Sequence, residues 1–260
     1  MKLHYEQSGT GDLAIVFGHG FPFDHTMWAA QRAELSKKYR VLTPDFRGMG
    51  QSPACPGKEK TTMADLADDL AELLDTLGLE KCVYGGLSMG GYVGWEFWNR
   101  HADRLSGLMV FDTNATPDAP DKAAGRRATA DRLEKERSLA FLIDGMKASL
   151  MLPETIAADG PVLQTYRAMV ENNNPYGVAA VARGMAERAD FSSRLAEITL
   201  PTLVLTGEND LLSPPAMMKP IADALPNADF VVVPHAAHLA PMENPVAVNA
   251  AILSFLSKRV

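Results

Sequence analysis

Residues 81–101 read KCVYGGLSMGGYVGWEFWNRH, an apolar run followed by a glycine-rich turn and a helical stretch. This order predicts a strand, a sharp turn and a helix, with Ser88 at the turn in the arrangement called a nucleophile elbow. Such a turn holds the serine backbone in a strained conformation, so that the hydroxyl projects above the sheet. Gly86, Gly90 and Gly91 supply the small neighbours that the turn needs. Ser88 also opens the helix, where unpaired N–H groups stabilise negative charge.

The Gly-x-Ser-x-Gly pattern of residues 86–90 does not identify a nucleophile by itself. It arises by chance in roughly one chain in ten of this length and composition. A glycine-rich loop with a structural serine at a helix N-cap is the alternative interpretation. The rest of the chain therefore has to distinguish a nucleophile from a capping residue.

Length and composition favour one domain and argue against nucleic acid as a partner. A chain of 260 residues can form one α/β domain, with or without an insertion, more readily than two independent domains. Hydrophobic residues make up 47% and charged residues 22%, which is typical of soluble proteins. The formal net charge is −7, and no cluster of Lys and Arg is interleaved with aromatic residues, so a phosphate backbone would be repelled.

The chain shows no targeting, membrane or metal signal. Residues 1–7, MKLHYEQ, lack the apolar core of a signal peptide, and no apolar stretch approaches the length that spans a bilayer. We therefore expect a cytoplasmic protein without a membrane partner. Cys55 and Cys82 have neither the number nor the spacing of a disulfide framework or a zinc site, and we expect two free thiols.

Short apolar runs alternate with helical segments, which is the pattern of a parallel sheet covered on both faces. The predicted strands are residues 13–17, 40–42, 82–84, 108–111, 202–206 and 230–233. Residues 2–7 offer an additional edge strand through the turn at residues 8–11. The predicted helices are residues 27–37, 62–77, 90–100, 215–225 and 245–256. We expect an α/β fold with a mostly parallel, doubly wound sheet.

One interval breaks this alternation. Residues 113–190 contain helical pieces, separated by prolines and glycines, and no strand-like run. We interpret this interval, called the cap below, as a helical insertion between two strands of a core formed by residues 1–112 and 191–260. Insertions beside a candidate active site generally shape a pocket, and a merely structural excursion is the alternative.

A serine nucleophile needs a general base, an acid to orient that base, and donors for an oxyanion. His238 lies just beyond the last predicted strand, at the sheet edge where α/β sites are built, and His235 in the same loop is the competing base. Asp210 and Asp112 both follow predicted strands. Asp210 is favoured as the acid because it gives the chain order serine, aspartate, histidine.

The oxyanion donors are expected from the segment GHGFP at residues 18–22, directly after a predicted strand. There the backbone N–H of Phe21 can point at the same position as that of Met89, and two such donors form an oxyanion hole. The alternative is that the glycines only allow a tight turn of the backbone and bind no oxyanion. His19 and Trp28 are the predicted substrate-binding residues of this region, where Trp28 either narrows the acyl side or packs under the cap.

These motifs together resemble the α/β-hydrolase superfamily over nearly the whole chain. The similar segments are HGFP at 19–22, DFRGMGQS at 45–52, GLSMGG at 86–91, GEND at 207–210, and His238 with ENP at 243–245. Within the superfamily, the elbow and the helical cap are most similar to 3-oxoadipate enol-lactonases and small carboxylesterases. Ala237 departs from the pattern, since glycine is common before the histidine.

The resemblance implies a serine hydrolase that cleaves small to medium carboxylic esters or lactones through the triad Ser88, Asp210 and His238, without a metal or organic cofactor. It argues against epoxide hydrolases and haloalkane dehalogenases, which use an aspartate as nucleophile. A cofactor-free perhydrolase or haloperoxidase, a carbon–carbon bond hydrolase and a non-catalytic receptor of the same fold are the alternatives. The expected partner is a small-molecule ester or lactone, while the natural substrate and the oligomeric state stay open.

The cap also carries arginines that offer an anchor for a substrate carboxylate, as an acidic lactone needs. We expect most of them to be solvated. They are Arg126, Arg127, Arg132, Arg137, Arg167, Arg183 and Arg188.

Overall fold

A computed structural model describes residues 2–55 and 57–260 of the chain. Its strands are β1 Tyr5–Ser8, β2 Ala14–Gly18, β3 Arg40–Pro44, β4 Cys82–Leu87, β5 Leu105–Phe111, β6 Thr202–Gly207 and β7 Ala228–Val233. They form one seven-stranded sheet in the order β1-β3-β2-β4-β5-β6-β7. β1 runs antiparallel to β3, and the other neighbouring strands are parallel.

The predicted parallel strands are confirmed, because continuous apolar runs are what strands covered on both faces require. Every residue of β2, β4 and β6 is buried. The edge strand β1 is also present, but it pairs with β3, so that Tyr5 lies opposite Pro44. The turn at residues 8–11 therefore joins two strands that are not neighbours in the sheet, which a hairpin interpretation of that turn does not anticipate.

Eleven α-helices occur in the described part of the chain. They are α1 Ala29–Leu35, α2 Met63–Thr76, α3 Met89–His101, α4 Pro120–Glu136, α5 Ala140–Leu150, α6 Pro153–Ala157, α7 Pro161–Glu171, α8 Pro175–Met185, α9 Pro215–Ala224, α10 Ala240–Glu243 and α11 Pro245–Arg259. The helix predicted at residues 27–37 is instead a 3-10 turn, His25–Trp28, followed by α1. Proline at the first helical position begins many of these helices, since its missing N–H has no intrahelical acceptor there.

The cap contains the five helices α4 to α8 and no strand, and all of its residues are described. α4 packs against α8, and α5 packs against α7. α8 approaches the core so closely that a Cβ at Gly177 would overlap the Gly48 carbonyl, and a Cβ at Gly184 would overlap the Thr61 carbonyl. The side-chain amide of Asn173 donates to Pro22 O at 3.0 Å. The cap is therefore held directly against the segment predicted to bind an oxyanion.

Both cysteines, Cys55 and Cys82, are free thiols. Cys82 lies in the core, where burial raises its pKa to about 12, so its thiol stays protonated and unreactive. A search of the described helices finds none that is long and apolar enough to cross a membrane.

Candidate active site

Ser88 lies between the end of β4 and the start of α3, as predicted for a nucleophile elbow. Its backbone has φ 54° and ψ −111°, in the positive-φ region that residues with a side chain rarely adopt. A Cβ at Gly86 would overlap the Gly90 carbonyl, so the turn depends on glycine at that position. The Ser88 N–H donates to Phe111 O at 2.9 Å, and the Ser88 carbonyl accepts from the Thr113 hydroxyl at 2.6 Å. Contacts from the end of β5 thus hold the strained turn in place.

His238 and Asp210 form a buried pair at the carboxyl edge of the sheet. His238 Nδ1 lies 2.9 Å from Asp210 Oδ2, and Asp210 Oδ1 accepts from the Leu212 N–H at 2.7 Å. Burial works to raise the pKa of Asp210, but the hydrogen bond and charge of His238 hold that pKa below its usual value. An ionised Asp210 favours the His238 tautomer that donates from Nδ1, which leaves Nε2 for a hydroxyl proton.

His235, the competing base, does not line the cavity at Ser88. Its side chain is exposed, and its backbone N–H lies 3.3 Å from Glu208 Oε2. His238, in contrast, lines the same cavity as Ser88. The geometry therefore favours His238 over His235 as the base.

Asp112, the competing acid, lies beside the pair rather than in place of Asp210. Its Oδ1 accepts from the Gly207 N–H at 2.7 Å. One oxygen of Asp112, one oxygen of Asp210 and one ring nitrogen of His238 all lie within 4.8 Å of one another. Complete burial, together with the charge of Asp210, raises the pKa of Asp112 well above its usual value. Burial thus favours the neutral form of Asp112, whereas the bond to His238 favours the ionised form of Asp210.

We expect Asp112→Asn to gain stability relative to the wild type as the pH rises. The ordinary pKa of 3.8 describes Asp112 in the unfolded chain, whereas the folded chain keeps this group protonated at higher pH. Above the unfolded pKa, the wild type therefore loses about 1.4 kcal/mol of unfolding free energy per pH unit from this group, until the folded pKa is reached. Asparagine does not titrate, so the difference between variant and wild type should grow as the pH rises above about 4.

Urea unfolding at several pH values measures this difference in stability. Asp210→Asn is the control, because its stability difference from the wild type should change with pH in the opposite direction. The folded pKa of Asp210 is lowered, so its contribution is present above the unfolded pKa and is lost as the pH falls. A pH-independent difference for Asp112→Asn would show that Asp112 is ionised in the folded protein.

The two predicted oxyanion donors are free to bind. Met89 is the first residue of α3, where an N–H has no intrahelical acceptor, and Phe21 lines the same cavity as Ser88. Within residues 2–55 and 57–260, neither the Phe21 N–H nor the Met89 N–H has a hydrogen-bond acceptor. Both groups are therefore available to an oxyanion that forms next to Ser88.

His19 is fully enclosed, which contradicts its predicted contact with substrate. Its Nδ1 lies 2.9 Å from Gly20 O, and its Nε2 accepts from the Phe46 N–H at 3.0 Å. Burial lowers the pKa of His19, so the ring is neutral and can make both bonds at once. The ring instead ties the oxyanion segment to the loop at residues 45–52.

Trp28 is also a core residue rather than a substrate contact. Its side chain has 0% exposure, stacks on Phe17 with ring centroids 4.7 Å apart, and lies 5.7 Å from the Phe111 ring. Trp28 is the last residue of the 3-10 turn His25–Trp28. Trp28 therefore packs in the core and does not narrow the acyl side of the cavity.

The cavity at Ser88 has a volume of about 420 Å³ and lies between core and cap. The apolar cap positions that reach it are Leu142, Met146, Leu150 and Met185. Tyr92 and Lys122 also line the cavity, and sequence reasoning missed both. Tyr92 lies about one helical turn after Ser88 on α3, and this spacing indicates that both residues are on the same face of the helix. α4 shows no apolar stripe that would have marked Lys122 as inward-facing.

Among the described residues, two groups of side chains have ligand chemistry suited to a metal ion. One is Asp112, Asp210 and His238, described above, and the other is His4, His25 and Asp45. In the second group, Asp45 Oδ1 accepts from the His25 backbone N–H at 2.7 Å and from His25 Nδ1 at 2.8 Å. Burial works against the charge of Asp45, yet these bonds hold its pKa below the usual value. Asp45 and His25 thus satisfy each other as a structural pair.

The chain is similar to characterised proteins over nearly its whole length. A family model described as "alpha/beta hydrolase fold" matches residues 14–245. The chain is 30% identical over 232 residues to 3-oxoadipate enol-lactonase 1 of Acinetobacter baylyi, which covers 89% of this chain and 84% of the relative. RutD of a Caulobacter species, named for carbamate hydrolysis, is 29% identical over 246 residues, with 94% and 90% coverage.

A solved structure adds a fold comparison. A thermophilic esterase from Thermogutta terrifontis, determined with malate bound, superimposes with a TM-score of 0.95 and is 46% identical. The match covers 98% of this chain and 93% of the esterase chain.

Proposed function

The chain belongs to the α/β-hydrolase fold family, and we propose that it is a serine hydrolase that cleaves small to medium carboxylic esters or lactones. One observation carries this proposal: Ser88, on its strained turn, and His238, paired with the buried Asp210, line one cavity. The likeness to an enol-lactonase and to a solved esterase supports the same class of reaction.

Acylation begins with the Ser88 hydroxyl. His238 Nε2 accepts the Ser88 proton as Oγ bonds to the substrate carbonyl carbon, and the carbonyl oxygen becomes an oxyanion held by the Phe21 and Met89 N–H groups. The histidinium, stabilised by Asp210, then donates its proton to the leaving alkoxide, and the carbon–oxygen bond breaks. An acyl-enzyme and a free alcohol result; for a lactone, the alcohol remains attached to the acyl group.

Deacylation repeats these steps with water. His238 removes a proton from a water molecule that attacks the acyl carbon, and it returns the proton to Ser88 as the carboxylic acid leaves. Hydrogen peroxide in place of water would give a peracid from the same acyl-enzyme, so perhydrolysis is a side reaction of this site. Cleavage of a vinylogous diketone with little ester turnover would instead support the carbon–carbon hydrolase alternative.

We expect short-chain esters to be the better substrates. A cavity of about 420 Å³ accommodates a small acyl group, whereas a long alkyl chain must lie against Lys122 and Arg126 or displace the cap. kcat/KM for p-nitrophenyl acetate or butyrate should exceed that for laurate or palmitate by at least about tenfold, which corresponds to about 1.4 kcal/mol. A preference for the long chains, or strong activation at a lipid interface, would contradict this view of the cap.

A further inference from the structure

The cavity at Ser88 is positively charged on its cap side. Lys122 and Arg126, one turn apart on α4, both line it. Among the described residues, no aspartate or glutamate lines the cavity. The rest of its cap wall is largely apolar, so few other polar groups of the cap compete with the two cations for a ligand.

One buried carboxylate orders this corner of the cap. Arg126 Nε donates to Asp118 Oδ2, while Arg188 NH1 and Lys122 Nζ lie 2.7 Å and 3.7 Å from Asp118 Oδ1. Burial opposes ionisation of Asp118, but the bonds from Arg126 and Arg188 keep its pKa below the usual value. Three positive charges thus surround one negative charge, which leaves an excess of positive charge beside the cavity.

The three cations do not have equal freedom to bind a ligand. Arg188 stacks on the Tyr92 ring at 4.2 Å and donates to Thr116 O at 3.0 Å, so it is committed to the cap itself. Arg126 uses Nε on Asp118 and NH1 on Met185 Sδ, and its NH2 has no hydrogen-bond partner in the described chain. Lys122 has the 3.7 Å ion pair alone and is half exposed. Lys122 and Arg126 therefore have donors left for an anion.

Three other cap arginines form ion pairs near the surface, rather than being free in solvent as expected from the sequence. Arg183 binds Asp131 and Glu134, and similar exposed pairs hold Arg132 with Glu136 and Arg167 with Asp159. Arg126 is the cap arginine that lines the cavity. The positive charge at Ser88 is thus a local feature, and it does not follow from the net charge of the chain, which is −7.

We propose that Lys122 and Arg126 form an anion subsite, and that the preferred substrates are esters or lactones that carry a second, free carboxylate. This inference rests on the proposed ester hydrolysis at Ser88 and narrows its substrate class. Guanidinium and ammonium groups both form strong charge-assisted hydrogen bonds with a carboxylate, and the apolar surroundings strengthen them. Half-esters of short dicarboxylic acids are the simplest substrates of this class.

The test compares acidic substrates with matched neutral ones. For charge on the acyl side, the pair is mono-p-nitrophenyl glutarate and its methyl ester. For charge on the alcohol side, the pair is the acetate ester of 3-hydroxypropanoate and that of 3-hydroxypropanamide. In at least one pair, kcat/KM for the acidic member should be about tenfold higher or more, and this preference should shrink as salt is added.

Three cap variants then locate the effect. Lys122→Gln and Arg126→Gln should each lower the acidic-to-neutral ratio of kcat/KM by about tenfold, and Lys122→Glu should lower it further. Arg127→Gln is the matched control, because Arg127 is exposed on the same helix and outside the cavity. It should leave the ratio unchanged. Arg126→Gln removes the bond to Asp118 and could unfold part of the cap. Lys122→Gln leaves that bond in place, so it tests the subsite even in that case.

The outcomes separate this inference from the proposed function. Hydrolysis of neutral esters without preference for either acidic member, or ratios that the Lys122 variants do not change, would overturn the subsite alone. Failure of the wild type to hydrolyse any ester or lactone in the set would overturn the proposed function as well.

Discussion

Replacement of Ser88 by alanine should lower kcat/KM for p-nitrophenyl acetate by at least about 10⁴-fold. The change removes the hydroxyl that attacks the substrate and retains the Cβ. Serine and alanine therefore carry the same backbone strain at the positive φ of position 88. Stability should therefore stay close to that of the wild type. Initial rates and urea unfolding of the two purified proteins measure both expectations.

Ser257→Ala serves as the control for Ser88→Ala, since Ser257 lies exposed on α11, far along the chain from the elbow, and its hydroxyl donates to Ser254 O at 3.0 Å. It should retain full activity. If Ser88→Ala keeps more than a few per cent of the wild-type rate in protein free of contaminating esterase, Ser88 is not the nucleophile.

Asp210→Asn should be the second crippling variant, with a loss of kcat of about 10³-fold to 10⁴-fold. Asparagine keeps the size of the side chain, but it cannot offset the charge of a histidinium and it favours the wrong His238 tautomer. Asp112→Asn should stay within about tenfold of the wild type, because a protonated Asp112 and an asparagine are both neutral. The amide oxygen can still accept the hydrogen bond from the Gly207 N–H.

Steady-state kinetics of the two asparagine variants, measured side by side, decide between the acids. A large loss in Asp112→Asn with little change in Asp210→Asn would place the triad acid after β5 rather than after β6.

The elbow geometry and the parallel strands could be predicted because their signals are local. Residues 81–101 combine a buried apolar run, three small residues and a helical pattern, and each of these restricts the backbone directly. His238 and Asp210 could be placed near Ser88 because the carboxyl ends of parallel strands meet at one sheet edge. The choice of Asp210 over Asp112 then followed from chain order alone.

The features that sequence reasoning missed depend on contacts between distant segments. Trp28 and His19 are near the site in sequence, but stacking on Phe17 and bonding to Phe46 turn their rings into the core. β1 pairs with β3 and not with β2, the next strand in the chain. α4 carries charged residues on several faces and buries only three small or apolar side chains, so the direction of Lys122 could not be read from periodicity.

The raised pKa of Asp112 is another product of tertiary structure. It arises because three ionisable groups from separate loops come within 4.8 Å of one another in a buried place. No short-range pattern distinguishes such an aspartate from an ordinary turn residue.

The most direct test of the account is the reaction of the wild-type protein with a fluorophosphonate, followed by intact mass measurement and peptide mapping. We predict one adduct per chain, located on Ser88, formed slowly in Asp210→Asn and absent in Ser88→Ala. The absence of an adduct in the wild type, or an adduct on Ser149 or Ser213 of the same cavity, would contradict a Ser88 nucleophile activated by His238 and Asp210.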